Sequence, residues 1–137
     1  MRFLDANVIL RYLTRDDEAK AEACYELFQQ VQRGEAELAT CEAIVAEVIY
    51  VLSSPRLTYR LSHEETRARL LPLLTLRGLR LPQKRVCLQA LDTYASSPSM
   101  DFEDALATAH MEQRGIAEIV SYDRDFDSVP RVRRVEP

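Results

Sequence analysis

Apolar and polar positions repeat with two different periods along the chain, and the changes of period mark its elements. Arg2 to Leu4 is a short apolar start that reads as a strand ending at Asp5. From Asn7 to Thr14, Val8, Ile9, Tyr12 and Leu13 share one helical face. Asp16 and Asp17 interrupt the pattern and offer an N-cap for a helix over 18–33, which Gly34 stops. Residues 37–40 suit a second strand. Over 41–53, Ile44, Val48, Val51 and Leu52 recur at helical spacing until Ser54-Pro55, and this length favours helix despite the β-branched residues. Ser62-His63-Glu64-Glu65 has the form of a capping box and predicts a helix to about Leu74. A third strand is expected over 78–81. Pro82 is expected to start a helix with Val86, Leu88, Leu91 and Tyr94 inward, ending at Ser96-Ser97-Pro98. Residues 101–114 predict an alanine-rich helix closed by Gly115, 116–121 a fourth strand, and 131–135 a fifth at an edge.

Strands that alternate with helices predict an α/β fold whose mostly parallel sheet is covered on both faces. Right-handed crossovers then bring the strand C-termini to one rim, where ligands bind in such sheets. A chain of 137 residues has the size of one domain, and no linker or repeat divides residues 1–137.

Composition removes several classes of function. With only Gly34, Gly78 and Gly115, no Gly-rich phosphate loop can be assembled. Cys24, Cys41 and Cys87 form no CxxC, which speaks against a disulfide framework or a zinc knuckle and fits a reducing compartment. His63 and His110 lie outside any metal-ligand spacing. A net charge of −4 does not announce a nucleic-acid binder, but the basic residues are arginine except for Lys20 and Lys84. Arginine suits bidentate phosphate contacts. Asp5 interrupts the apolar run of a signal peptide, and no stretch approaches the roughly 18 apolar residues of a membrane helix. A cytoplasmic protein without membrane contact is expected.

The acids carry the chemistry. Asp5 follows the first strand and Asp123 follows the fourth, so a parallel sheet points both to one rim. Asp101 and Asp104 fall in the first turn of a helix, where free N–H groups and the dipole favour anions. Glu47 lies roughly 40° outside the Val51 edge of its helix's apolar arc, a position expected to border a cleft. Each acid also has a plain structural reading: Asp101 as an N-cap, Asp104 as a dipole partner, Asp123 as the cap of a short turn. Glu47 could pair with a surface arginine, and Asp5 with Asn7 could simply start a helix. Gathered on one rim, however, carboxylates about 4 Å apart repel by roughly 4 kcal/mol per pair at an effective dielectric of 20. A divalent cation removes that cost, and an all-oxygen donor set selects a hard ion, Mg²⁺ or Mn²⁺.

The same residues resemble a known family. Phe-Leu-Asp5-Ala-Asn7-Val-Ile-Leu-Arg11 is similar to the opening of PIN-domain proteins, especially VapC-type toxins of toxin–antitoxin pairs. Glu47 within Ile44–Leu52, Asp104 within Asp101–Ala109 and Asp123 within Ile119–Phe126 match their later acidic motifs, in family order and spacing. Ser121 stands where the family more often has threonine, and Asp101 and Asp125 add acids beside the expected ones. The resemblance implies a three-layer α/β/α sandwich and Mg²⁺- or Mn²⁺-dependent endonucleolytic cleavage of RNA. It also implies a toxin that dimerises and is silenced by a cognate antitoxin. On this reading Asp5 and Asp104 ligate the principal metal. Glu47 and Asp123 complete the pocket through water, by holding a second ion, or by orienting the attacking water. Asn7 is expected to brace Asp5, Ser121 to support the last motif, and Arg11, Arg15 and Arg85 to contact phosphates.

Two rival enzyme classes fit less well. A haloacid-dehalogenase-like phosphatase needs a second aspartate where Asn7 stands. A receiver needs an Asp after a central strand, where Thr40 stands, and a later lysine. A PIN-like module kept only for protein binding is the alternative outside catalysis; such modules tend to lose acids that are all present here.

Overall fold

A computed structural model describes residues Met1–Pro137, which form two compact units, Met1–Lys84 and Arg85–Pro137. In the first unit the elements run β1 (Arg2–Phe3), α1 (Ala6–Thr14), α2 (Glu18–Gln32), β2 (Leu38–Ala39), α3 (Glu42–Ser53), α4 (His63–Leu74) and β3 (Leu79–Arg80). The strands are parallel in the order β1-β2-β3, with Arg2 opposite Leu38 and Leu38 opposite Leu79. The Thr40 hydroxyl, buried, donates to the Leu4 carbonyl at 3.1 Å and pins the chain just before Asp5. Burial is acceptable there because the hydroxyl has its partner.

Helix α1 packs on α2 and α3, with Ile9 fully buried and the Tyr12 and Phe28 rings 4.7 Å apart. The Ser62 and Glu65 side chains complete a reciprocal capping box at the start of α4. Gly78 is required by a close approach: an added Cβ would stand 2.8 Å from Val31 Cγ1 and 3.0 Å from the Ala36 carbonyl. Two expectations fail in this unit. The buried face of α3 is Val45, Val48, Ile49 and Leu52, while Ile44 and Val51 are half-buried. That face is turned away from Glu47, which is exposed and does not sit at the half-buried edge expected of it. Nor does Pro82 begin a helix. Gln83 takes the left-handed conformation, φ 53°, which a right-handed helix cannot include.

The second unit holds α5 (Lys84–Ser96, starting at the boundary), α6 (Phe102–Gln113), β4 (Glu118–Val120), a 3₁₀ turn (Arg124–Ser128) and β5 (Arg133–Val135). Tyr94 and Phe102 meet edge to face, with centroids 6.0 Å apart, among the buried Leu91, Ala105, Ala109 and Phe126. Gly115, at φ +65°, turns the chain out of α6 toward β4 as only glycine does freely. Strands β4 and β5 pair in parallel, Glu118 opposite Arg133 and Val120 opposite Val135. The fourth strand is shorter than expected and leaves Val120 exposed. All strand pairs are parallel, as the alternation of elements requires. No helix is long and apolar enough to cross a membrane.

Candidate metal centre

Three acids meet in the second unit. Asp104 stands in the first turn of α6, and Asp123 caps the 3₁₀ turn after β4. Together with Asp125 they offer carboxylate oxygens that all lie within 4.8 Å of one another. The local backbone explains how Asp123 is held. Its N–H donates to the Ser121 hydroxyl at 2.9 Å, and its carboxylate accepts the Asp125 N–H, also at 2.9 Å. Such short side-chain-to-backbone bonds fix an Asx-type turn at the end of the strand.

The electrostatics match the crowding. Partial burial, followed by the charges of Asp123, Asp101 and Asp125, pushes the Asp104 carboxyl up to about 6, and it is hydrogen-bonded to Asp123. The charges that act most strongly on Asp104 are all acidic. Arg133 is paired with Glu118, and Arg134 with Asp127 and Glu136. Asp101 occupies the N-cap position of α6 without a capping bond from its side chain, so the plain reading as a side-chain cap does not hold. Asp123 does cap its turn, and the same carboxylate still faces Asp104. An all-carboxylate trio of this kind fits a hard divalent cation by the chemistry of its donors.

The other expected residues lie in the first unit, apart from Arg85. Asp5 follows β1 at the N-cap position of α1, again with no capping bond. Glu47 is exposed on α3. Asn7 is exposed in the first turn of α1. Arg11, expected at phosphate, is instead engaged by Asp16 at 2.8 Å. That acid two positions beyond the helix is simply in reach of its guanidinium. Arg15 pairs loosely with Glu22 at 3.4 Å, and Arg85 is exposed at the start of α5 beside Gln89, Asp92 and Glu112. Sequence reasoning missed Arg134. Its Nη1 donates to the Ser121 carbonyl at 2.9 Å, and its side chain is only 13% exposed. Nothing in the alternation of a short edge strand separates it from Arg133.

A family model described as PIN domain matches residues 2–132. Among solved structures, Mycobacterium tuberculosis VapC20, described as a Sarcin-Ricin loop cleaving toxin, is similar at 18% identity over 93% of this chain and 94% of that chain. Its TM-score is 0.41, and at that value the likeness adds no argument. No curated protein matches. The family match runs through Asp5, Glu47, Asp104 and Asp123, and the chain belongs to the PIN-domain family.

Proposed function

We propose that this chain is a metal-dependent endoribonuclease, the toxin of a VapBC-type toxin–antitoxin pair, working as one nuclease domain over residues 1–137. The observation that carries the reading is the meeting of Asp104, Asp123 and Asp125, where the charges that act most strongly on Asp104 are all acidic. The crowding raises the cost of ionising Asp104, which a bound cation would relieve, and membership of the PIN family supplies the reason for one.

Asp104 and Asp123 would hold Mg²⁺ or Mn²⁺, with Asp5 and Glu47 assigned to the same task by their place in the family motifs. When bound, the cation supplies a lower pKa for water and neutralises charge on the scissile phosphate. The protein's own part is positioning. Ser121 orients Asp123 through its backbone N–H, and Asp125 N–H fixes the direction of the Asp123 carboxylate. Asp104, pushed up to about 6 by burial and its acidic neighbours in the cation-free chain, would give up its proton on binding the cation and serve as a ligand. Arg15 and Arg85, exposed, are assigned to RNA phosphates, while Arg11 reaches them only by leaving Asp16. A cognate antitoxin, a homodimer and a cytoplasmic location complete the proposal, by the same sequence resemblance.

The test is to incubate purified protein with a mixed RNA pool in Mg²⁺, Mn²⁺ or EDTA and to map the cut ends. Cleavage that needs the cation and is absent from D104N supports the reading. Cation binding without any cleavage would favour the binding module instead.

A further inference from the structure

The geometry points to Arg134 as a positioning residue that holds the Ser121–Asp125 segment in its cation-binding shape. The inference rests on the nuclease reading of the acidic trio and adds a residue beyond the 2–132 span of the family model.

Arg134 reaches three separate pieces of chain from β5. Nη1 donates to the Ser121 carbonyl at 2.9 Å and to Glu136 Oε1 at 2.9 Å, while Nε donates to Asp127 Oδ1 at 2.9 Å. These contacts join the end of β4, the 3₁₀ turn and the C-terminal residues. From Ser121 the order passes on by hydrogen bonds, its hydroxyl accepting from Asp123 N–H and Asp123 Oδ1 accepting from Asp125 N–H. Two of the three clustered acids thus hang from a segment that Arg134 fastens at its first residue.

The charge arrangement supports the same role. A cation touching Asp104, Asp123 or Asp125 would compete with a metal ion. Arg134 instead has two carboxylate partners of its own, Asp127 and Glu136, so it fixes the loop without quenching the cluster. With a side chain 13% exposed, it is also far more enclosed than its neighbour Arg133, which is 70% exposed. A rigid planar fork with five donors can serve three acceptors at once, which a lysine cannot.

Groups that orient ligands from behind typically change metal affinity by about 10–100-fold when removed. The experiment is Mn²⁺ binding to the full chain, read from the electron paramagnetic resonance of free Mn²⁺, with the Tm of each protein measured in parallel. Arg134→Ala is expected to raise the Kd about tenfold at a temperature where it is folded, and Arg134→Lys to fall between it and the wild type. Arg133→Ala, which removes the exposed pair with Glu118, is expected to leave the Kd unchanged. A merely structural arginine would lower Tm and leave the affinity of the folded protein alone. An Arg134→Ala Kd within about twofold of wild type overturns the inference. Should that variant not fold, Arg134→Lys decides, and wild-type affinity there overturns it equally. A wild type that binds no Mn²⁺ defeats the nuclease reading itself. A wild type that binds alongside an unaffected Arg134 variant defeats this inference alone.

Discussion

The carboxyl groups of Asp104, in the first turn of α6, and Asp123, after β4, are hydrogen-bonded to each other. Two carboxylates in that relation share a proton or a cation, since both cannot be ionised side by side without cost. Asp104→Asn keeps the shape and removes one charge. The variant is expected to lose cation-dependent RNA cleavage while its cation-free stability at pH 7.5 stays level or rises, by on the order of 1 kcal/mol after solvent screening. Urea denaturation in EDTA, beside the cleavage assay, checks both halves. A large loss of stability would mean that Asp104 is structural.

The pH dependence has a definite sign. Asp104 titrates near 6 in the folded chain, above its ordinary value of 3.8, so between these the folded state binds the extra proton. Stability from this group is therefore greatest at low pH and declines as pH rises from about 4 through 6. The stability difference between wild type and Asp104→Asn is expected to open across that window and level off above it. Cation affinity runs the other way, falling by up to about tenfold per pH unit below 6 as protons compete for Asp104.

Helix caps separate structural from uncommitted side chains. Ser62 closes a reciprocal box with Glu65, and Ser62→Ala is expected to cost about 1 kcal/mol. Asp5 and Asp101 hold N-cap positions without capping bonds. Their alanine variants are expected to lose less than half that stability while weakening Mn²⁺ binding. Thermal melts in EDTA read the first effect and Mn²⁺ titration the second.

Close approach makes Gly78 irreplaceable. A methyl group there meets Val31 and the Ala36 carbonyl, and only the valine can yield. Gly78→Ala is expected to cost about 1–3 kcal/mol, measured by chemical denaturation. A neutral result would show that the start of β3 shifts freely.

The order of elements was readable because caps, breakers and periodicity agree. The box at Ser62 and the N-cap at Asp17 emerged as written in the sequence. The start of α5 did not, because the left-handed Gln83 after Pro82 leaves no sequence signature. Candidate acids were legible from their places after strands and in a first helical turn. What those residues touch was not. Arg11 turned to Asp16, Glu47 lay farther round its helix than the apolar arc suggested, and Arg134 gave no sign of fastening Ser121. Side-chain partners across β4 and β5 depend on strand register, which hydrophobic pattern fixes only through packing.

Calorimetric titration of Mn²⁺ in two buffers of different ionisation enthalpy examines the acidic cluster most directly, because it counts protons displaced as the ion binds. With Asp104 titrating near 6, binding at pH 6 should release about half a proton, against almost none at pH 8 or in Asp104→Asn. Absence of binding at both pH values, or binding at pH 6 with no proton released, would contradict a cation site built on Asp104 and Asp123.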